Sequence, residues 1–235
     1  MKTVDKKEVL SSQSAEFIQQ GEEGKFLKLI PDTFVIKMEN GKQGYAIRHL
    51  NRQDIILIDT TAQGAQQAVK HLVEEGYSIK AILLTHKDSL KNTYSDLKTI
   101  SEDAGRAPIF AHPMNTNGEN INIKSIMDRN NIFEHFSISV QDFPGKSGEN
   151  VVIYSEINEG MVFAGNAAVG TAYNSEGDAI GLPDLENKTK NESLAEKWNA
   201  FDLEFTYFFP YKGKPRFNLS EGEQKDLILK LGRTQ

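Results

Sequence analysis

Between residues 25 and 58, apolar positions recur every second residue or in short unbroken runs. That pattern predicts strands at 26–30, 33–39, 44–49 and 55–58. Phe34, Ile36 and Met38 fall on one face of the second strand, and Asn40-Gly41 after it is a strong hairpin signal. Ile55-Ile56-Leu57-Ile58 is apolar throughout, as expected of a strand buried on both faces. From Gly64 the period changes. Ala65, Ala68, Val69 and Leu72 form one helical stripe over 64–75, and Gly76 stops the helix. An apolar strand follows at 79–84. Strand, helix and strand in this order predict a parallel βαβ unit with a right-handed crossover.

The rest of the chain reads less regularly. A helix is predicted over 94–105 with Leu97 and Ile100 inward, then a strand at 107–112. Residues 113–131 are rich in Asn and read as a loop or insertion with a short helix near Ile126. A strand at 136–140 leads into a tight turn over 142–147. Strands at 151–157 and 161–164 are joined by Asn158-Glu159-Gly160. Residues 171–190 read as a surface loop. A helix over 191–201, capped by Asn191 or Ser193, turns Leu194, Trp198 and Phe201 inward. A final strand at 205–209 precedes a helix capped by Ser220, with Leu227, Ile228 and Leu231 inward. Residues 1–24 are polar except for Val9-Leu10 and Phe17-Ile18. They read as an N-terminal extension packed on the edge of one domain spanning 25–235.

The chain has 235 residues, 38% hydrophobic and 26% charged, enough for one sizeable α/β core. A net charge of −6 gives no general attraction to nucleic acid or to an anionic membrane. The chain contains no cysteine, which excludes disulfides, thiolate metal sites and a Cys nucleophile. No stretch approaches the ~20 apolar residues of a membrane span, and the first residues lack the apolar core of a signal peptide. A cytoplasmic location is the expectation. A homo-oligomer is left open.

Candidate chemistry concentrates at the ends of the predicted strands. The strand 55–58 ends in Asp59-Thr60-Thr61, and the strand 79–84 in Thr85-His86-Lys87-Asp88-Ser89-Leu90-Lys91. Further on stand Pro144-Gly145-Lys146-Ser147, Phe163-Ala164-Gly165-Asn166 and Pro210-Tyr211-Lys212-Gly213. An apolar strand ending in Thr-His, after an Ile-Asp-Thr strand and one helix, resembles the metallo-β-lactamase superfamily. By order and spacing of elements the resemblance covers about residues 25–215. It implies an α/β fold of four layers, an αββα sandwich of two mixed sheets with helices outside.

The same resemblance implies that the metal ligands are mostly lost. The family's motif is Thr-His-x-His-x-Asp-His. Here His86 keeps the first ligand position, while Asp88, Leu90 and Lys91 stand at the next three. Lys146 replaces the His of Pro-Gly-His, Asn166 replaces the bridging Asp, and Lys212 replaces the last His. Asp59 is kept. Leu90 offers no donor atom, and a protonated lysine carries no lone pair. No cofactor is expected. Lys91, Lys146 and Lys212 suggest that ammonium groups fill the space of divalent cations, either neutralising Asp59 and Asp88 or holding a small anion.

Two main function classes follow. One is a pseudoenzyme that binds a small anionic ligand or a protein partner in the former active-site cleft. The other is an atypical hydrolase with a mononuclear site at His86 and Asp88, with Thr85 and His112 as accessories. A lysine-based catalyst is a third and weaker class, requiring one of the three lysines to be desolvated. Asp88, His86 and Ser89 match Ser-His-Asp chemistry in composition only, because triads draw on separate segments. His49, His71 and His135 read as surface or packing residues. Phe201, Phe205, Tyr207, Phe208, Phe209 and Tyr211 read mostly as core, with some at the cleft mouth or a dimer contact.

Overall fold

The computed structural model describes residues 24–50, 53–61, 65–87, 94–115, 122–145, 149–170, 179–185 and 187–233. Seven strands form one sheet in sequence order: β1 (Phe26–Ile30), β2 (Thr33–Lys37), β3 (Gln43–Arg48), β4 (Asp54–Ile58), β5 (Ser78–Leu83), β6 (Ile109–Ala111) and β7 (Ile123–Ser125). Strands β1 to β4 pair antiparallel, and β4 to β7 pair parallel. Helix α1 (Ala65–Glu74) makes the crossover from β4 to β5, and α2 (Tyr94–Asp103) the one from β5 to β6. Helix α3 (Asn131–His135) leads into a second sheet. That sheet contains β8 (Ile138–Pro144), β9 (Glu149–Ser155), β10 (Met161–Gly165) and β13 (Tyr207–Pro210), in the order β13-β10-β9-β8. The short strands β11 (Val169–Gly170) and β12 (Ile180–Gly181) pair with each other. Helices α4 (Lys188–Asn199) and α5 (Glu221–Leu231) complete the described elements.

Alternation along the strands divides the apolar residues among three cores. Val35, Tyr45, Ile47, Ile56, Ile58 and Leu83 face the second sheet and meet Val151, Ile153, Met161, Phe163 and Phe209. The opposite face of the first sheet, through Ile36, Ala46, Ile55, Leu57 and Ile82, takes the stripes of α1 and α2. Val152, Val162 and Phe208 take Leu194 and Trp198 of α4 and Leu227 and Leu231 of α5. The result is helix, sheet, sheet, helix, the expected αββα sandwich. Each large side chain buried this way contributes about 1.5–3 kcal/mol.

Several local expectations change. Asn40-Gly41 does not close a two-residue hairpin. A 3-10 turn over Glu39–Gly41 joins β2 to β3, with Gly41 at φ 69°. The short helix near Ile126 is instead the edge strand β7, because pairing with β6 outweighs local propensity in an Asn-rich stretch. The turn placed at 142–147 begins later, since β8 runs through Pro144 and pairs with β9 to its end. Helix α4 starts earlier than the apolar stripe suggests. Asn187, and neither Asn191 nor Ser193, caps it by accepting from Lys190 N. Ser220 caps α5 as expected, in a reciprocal capping box with Glu223. Residues 1–23, where the extension was placed, lie outside the described residues. Among the described residues no helix is long and apolar enough to cross a membrane.

Candidate functional site at the strand ends

Four strands deliver their C-terminal ends to one place. In the parallel pair β4 and β5, Ile58 is in register with Leu83, so Asp59 and Thr85 emerge side by side. In the parallel pair β10 and β13, Gly165 is in register with Pro210, so Asn166 and Tyr211 emerge side by side. Thr85 O accepts from Val151 N of β9 at 2.8 Å, which ties the end of β5 to the second sheet, and within the β10–β13 pair Gly165 O accepts from Tyr211 N at 3.0 Å. Clefts outside the carboxyl ends of parallel strands are where α/β folds place ligands.

At the floor lies a buried polar relay. Asp59, Thr85 and His86 are 2%, 1% and 2% exposed. Asp59 Oδ1 accepts from Thr85 N at 2.9 Å, and Oδ2 accepts from Thr85 Oγ1 at 2.6 Å. Thr85 Oγ1 lies 2.8 Å from His86 Nδ1. A hydroxyl has one proton, and here the carboxylate takes it, so Nδ1 is the donor toward Thr85 Oγ1. His86 Nδ1 is also 3.8 Å from Asp59 Oδ1. The Tyr211 ring meets the imidazole edge-on, with centroids 4.4 Å apart. Asp59 holds a left-handed backbone at φ 51°, which swings its carboxylate back over Thr85. Acidic and amide side chains tolerate that conformation better than most.

The other wall is stiffened from below. Tyr45 Oη donates to Pro210 O at 2.7 Å, and Gln43 Nε2 donates to Gly213 O at 2.6 Å. Both residues are buried, so these bonds hold the 210–213 loop against β3. Tyr45→Phe is expected to cost about 1–1.5 kcal/mol in chemical denaturation, the worth of one buried hydrogen bond whose acceptor is left behind.

Other site residues fall at different depths. Asn166 is half-buried beside Gly165. Lys212 is exposed at the rim and forms a β-bridge with Lys42. Its ammonium is therefore not buried against Asp59, nor desolvated as a lysine catalyst requires. Asp88, Leu90, Lys91 and Lys146 lie outside the described residues, as does Ser89. His112, at the end of β6, accepts from Met114 N at 3.2 Å and points Nε2 at Asp142 Oδ1 of β8, 3.5 Å away. His49 and His135 stack with centroids 4.0 Å apart, and His135 Nε2 lies 3.5 Å from Asp54 Oδ2. His71 sits on the exposed face of α1 beside Glu74 and Glu75.

Two contributors escaped the sequence reading. Lys190, at the start of α4, donates to Gly145 O at 3.0 Å, and so reaches the loop next to position 146. Only the folded position of α4 reveals that contact. Gly165 closes on Thr85: a Cβ there would lie 2.2 Å from Thr85 Oγ1. Its place in Gly165-Asn166 was a usable signal.

Among the described residues no group of three or more His, Cys, Asp and Glu side chains is placed to hold a metal ion. At the positions that the family resemblance sets against ligands stand Lys91, Lys146 and Lys212, Leu90, which offers no donor atom, and Asn166, which offers a neutral oxygen. This donor set does not fit a dinuclear zinc centre. A catalytic zinc needs three protein ligands and an open position.

The layer order and the four converging strand ends define the metallo-β-lactamase fold. Solved structures agree on the fold. A metallo-β-lactamase from Pontibacter korlensis superposes with a TM-score of 0.60 at 13% identity, covering 87% of this chain and 98% of that one. One from Hirschia baltica gives 0.58 at 16% identity, covering 90% and 98%. The FIM-1 metallo-β-lactamase of Pseudomonas aeruginosa, in its mono-zinc form, gives 0.54 at 17% identity, covering 88% and 94%. No protein-family model matches the sequence. No curated protein matches it significantly.

Proposed function

We propose that this chain is a metal-independent binding protein that uses the cleft of a metallo-β-lactamase fold to hold a small anionic ligand. The observation that carries the reading is the commitment of the site's acid. Asp59 is buried and both its oxygens accept from Thr85. His86 is tied to the same hydroxyl. Two lysines meet on adjoining segments beside this relay. Lys42 and Lys212 are bridge partners on adjoining segments, a like-charge pairing that an anion would relieve. Lys190 donates to Gly145 O, and the family resemblance sets Lys91 and Lys146 at former ligand positions. A local positive field on a chain of net charge −6 favours anions over neutral ligands.

The test begins with metal content of protein purified without chelator or a metal-affinity step, followed by zinc titration. The reading expects well under one metal per chain and no thermal shift with zinc. A panel of phosphate, sulfate and di- and tricarboxylates should then raise Tm in a salt-sensitive way. Lys212→Met is expected to weaken the best anion about tenfold. Being exposed, that substitution should leave stability within about 0.5 kcal/mol. One equivalent of tightly held zinc, with turnover of an ester, lactam or phosphodiester, would instead place the chain among mononuclear hydrolases centred on His86 and Asp88.

A further inference from the structure

Residues 200–206 reach β13 at its N-terminal end, where Tyr207 pairs with Met161. The candidate site lies at the other end of that strand, where Pro210 pairs with Gly165. Between residues 200–206 and α5 runs a groove of about 470 Å³. Phe201 and Phe205 form its floor as an edge-on pair with ring centroids 6.0 Å apart. Leu203 and Ile228 line it half-buried, and Leu229 stands 52% exposed on its wall. Leu229 lies outside the stripe of Leu227 and Leu231 that α5 buries. The walls are pinned to each other and to the sheet. Phe205 N donates to Gln224 Oε1 at 3.3 Å, Gln224 Nε2 donates to Leu219 O at 3.1 Å, and Tyr154 Oη donates to Glu204 O at 2.9 Å. The groove is therefore formed before anything enters it.

The lip of the groove is acidic. Asp202, Glu204 and Glu221 line it together with Lys225, and Lys225 is bonded to Glu221 one turn away on α5. Among the described residues no cation stands within ion-pair reach of Asp202 or Glu204. Burial, and then the carboxylates of Glu156 and Glu204, push the Tyr154 hydroxyl above its usual pKa, so the negative field continues beside the groove. An apolar floor under uncompensated carboxylates selects a ligand that is apolar at its centre and cationic at its flanks. We propose that this groove docks a peptide segment of a protein partner, seating one or two large apolar side chains on Phe201, Leu203 and Ile228 while flanking Lys or Arg residues pair with Asp202 and Glu204. Leu229, exposed on the wall, would be covered by the same segment. Because the groove and the strand-end site lie at opposite ends of β13, this docking does not rest on the anion-binding reading.

The test pans a random-peptide display library on the full chain. Selected peptides are expected to carry Leu, Ile, Phe or Trp beside Lys or Arg. The strongest of them, fluorescently labelled, should bind in anisotropy titrations, with affinity falling about fivefold between roughly 50 and 300 mM salt. Leu229→Asp should weaken it about tenfold, and so should Asp202→Lys combined with Glu204→Lys. Glu74→Lys, a charge reversal on the exposed face of α1, should leave binding unchanged. All four positions are exposed, so each variant should keep the wild-type Tm within a few degrees. Failure to enrich any peptide would overturn the proposal, as would enrichment of acidic or uncharged ones. Equal binding to the wild type and the groove variants would overturn it too. A dimer of this chain that Leu229→Asp dissolves would assign the groove to a second copy instead.

Discussion

Gly165→Ala should lower stability by about 4 kcal/mol. An added Cβ would lie 2.2 Å from Thr85 Oγ1 and 2.6 Å from Thr85 Cβ. Those atoms belong to a side chain held at both ends, by Asp59 and by His86, so it cannot swing aside without breaking the relay. Overpacking of this kind costs about 1–3 kcal/mol. The left-handed backbone at Gly165, φ 53°, adds roughly 1 kcal/mol for a non-glycine residue. Loss of one relay hydrogen bond supplies the rest. Urea denaturation measures the sum. A double-mutant cycle with Thr85→Gly isolates the clash, and the pair should cost clearly less than the two single changes added together. A cost under 1 kcal/mol for Gly165→Ala would mean that β10 and the end of β5 do not approach as described.

Asp59→Ala is expected to cost about 3 kcal/mol, while Asp59→Asn should cost less than half of that and change the chemistry of His86. Alanine leaves the Thr85 N–H and hydroxyl without their acceptor in a buried site, at about 1–3 kcal/mol for such groups. It also places an unsuited residue at φ 51°. Asparagine tolerates that backbone and its oxygen can still accept from Thr85 N. Its NH₂ then faces Thr85 Oγ1, which must accept instead of donate. The hydroxyl proton turns to His86 Nδ1, and the imidazole proton moves to Nε2. Nitrogen chemical shifts of His86 should therefore report opposite tautomers in the wild type and in Asp59→Asn. If the tautomer stays the same, the Asp59–Thr85–His86 connection is not the one that orients the ring.

Much of the scaffold was legible along the chain because its signals are local. The stripe of Ala65, Ala68, Val69 and Leu72, stopped by Gly76, needs only the helical period and a left-handed C-terminal residue. The run at 55–58 is apolar because β4 is covered on both faces. The errors fell where pairing outweighs propensity. β7 is a strand because β6 offers it an edge, and β8 passes through Pro144 because β9 holds it there. Neither partner is visible from within the segment. Tyr211 illustrates the same limit at the site. Its strand spacing marks it as core, but only the register of β13 against β10 sets it against His86.

By itself, then, the sequence determined the order of the strands and helices from β1 to β6, the βαβ unit, and which residue types stand at the strand ends. The family resemblance, read from the same residues, implied that lysine, leucine and asparagine stand where the fold's enzymes carry ligands. The tertiary structure alone decided what those ends do. Asp59 and Thr85 are 26 positions apart, and their bond exists because parallel pairing puts Ile58 beside Leu83. Lys212 is solvated and Lys190 reaches Gly145 because of where a loop and a helix pack, a matter of long-range burial that residue type does not encode.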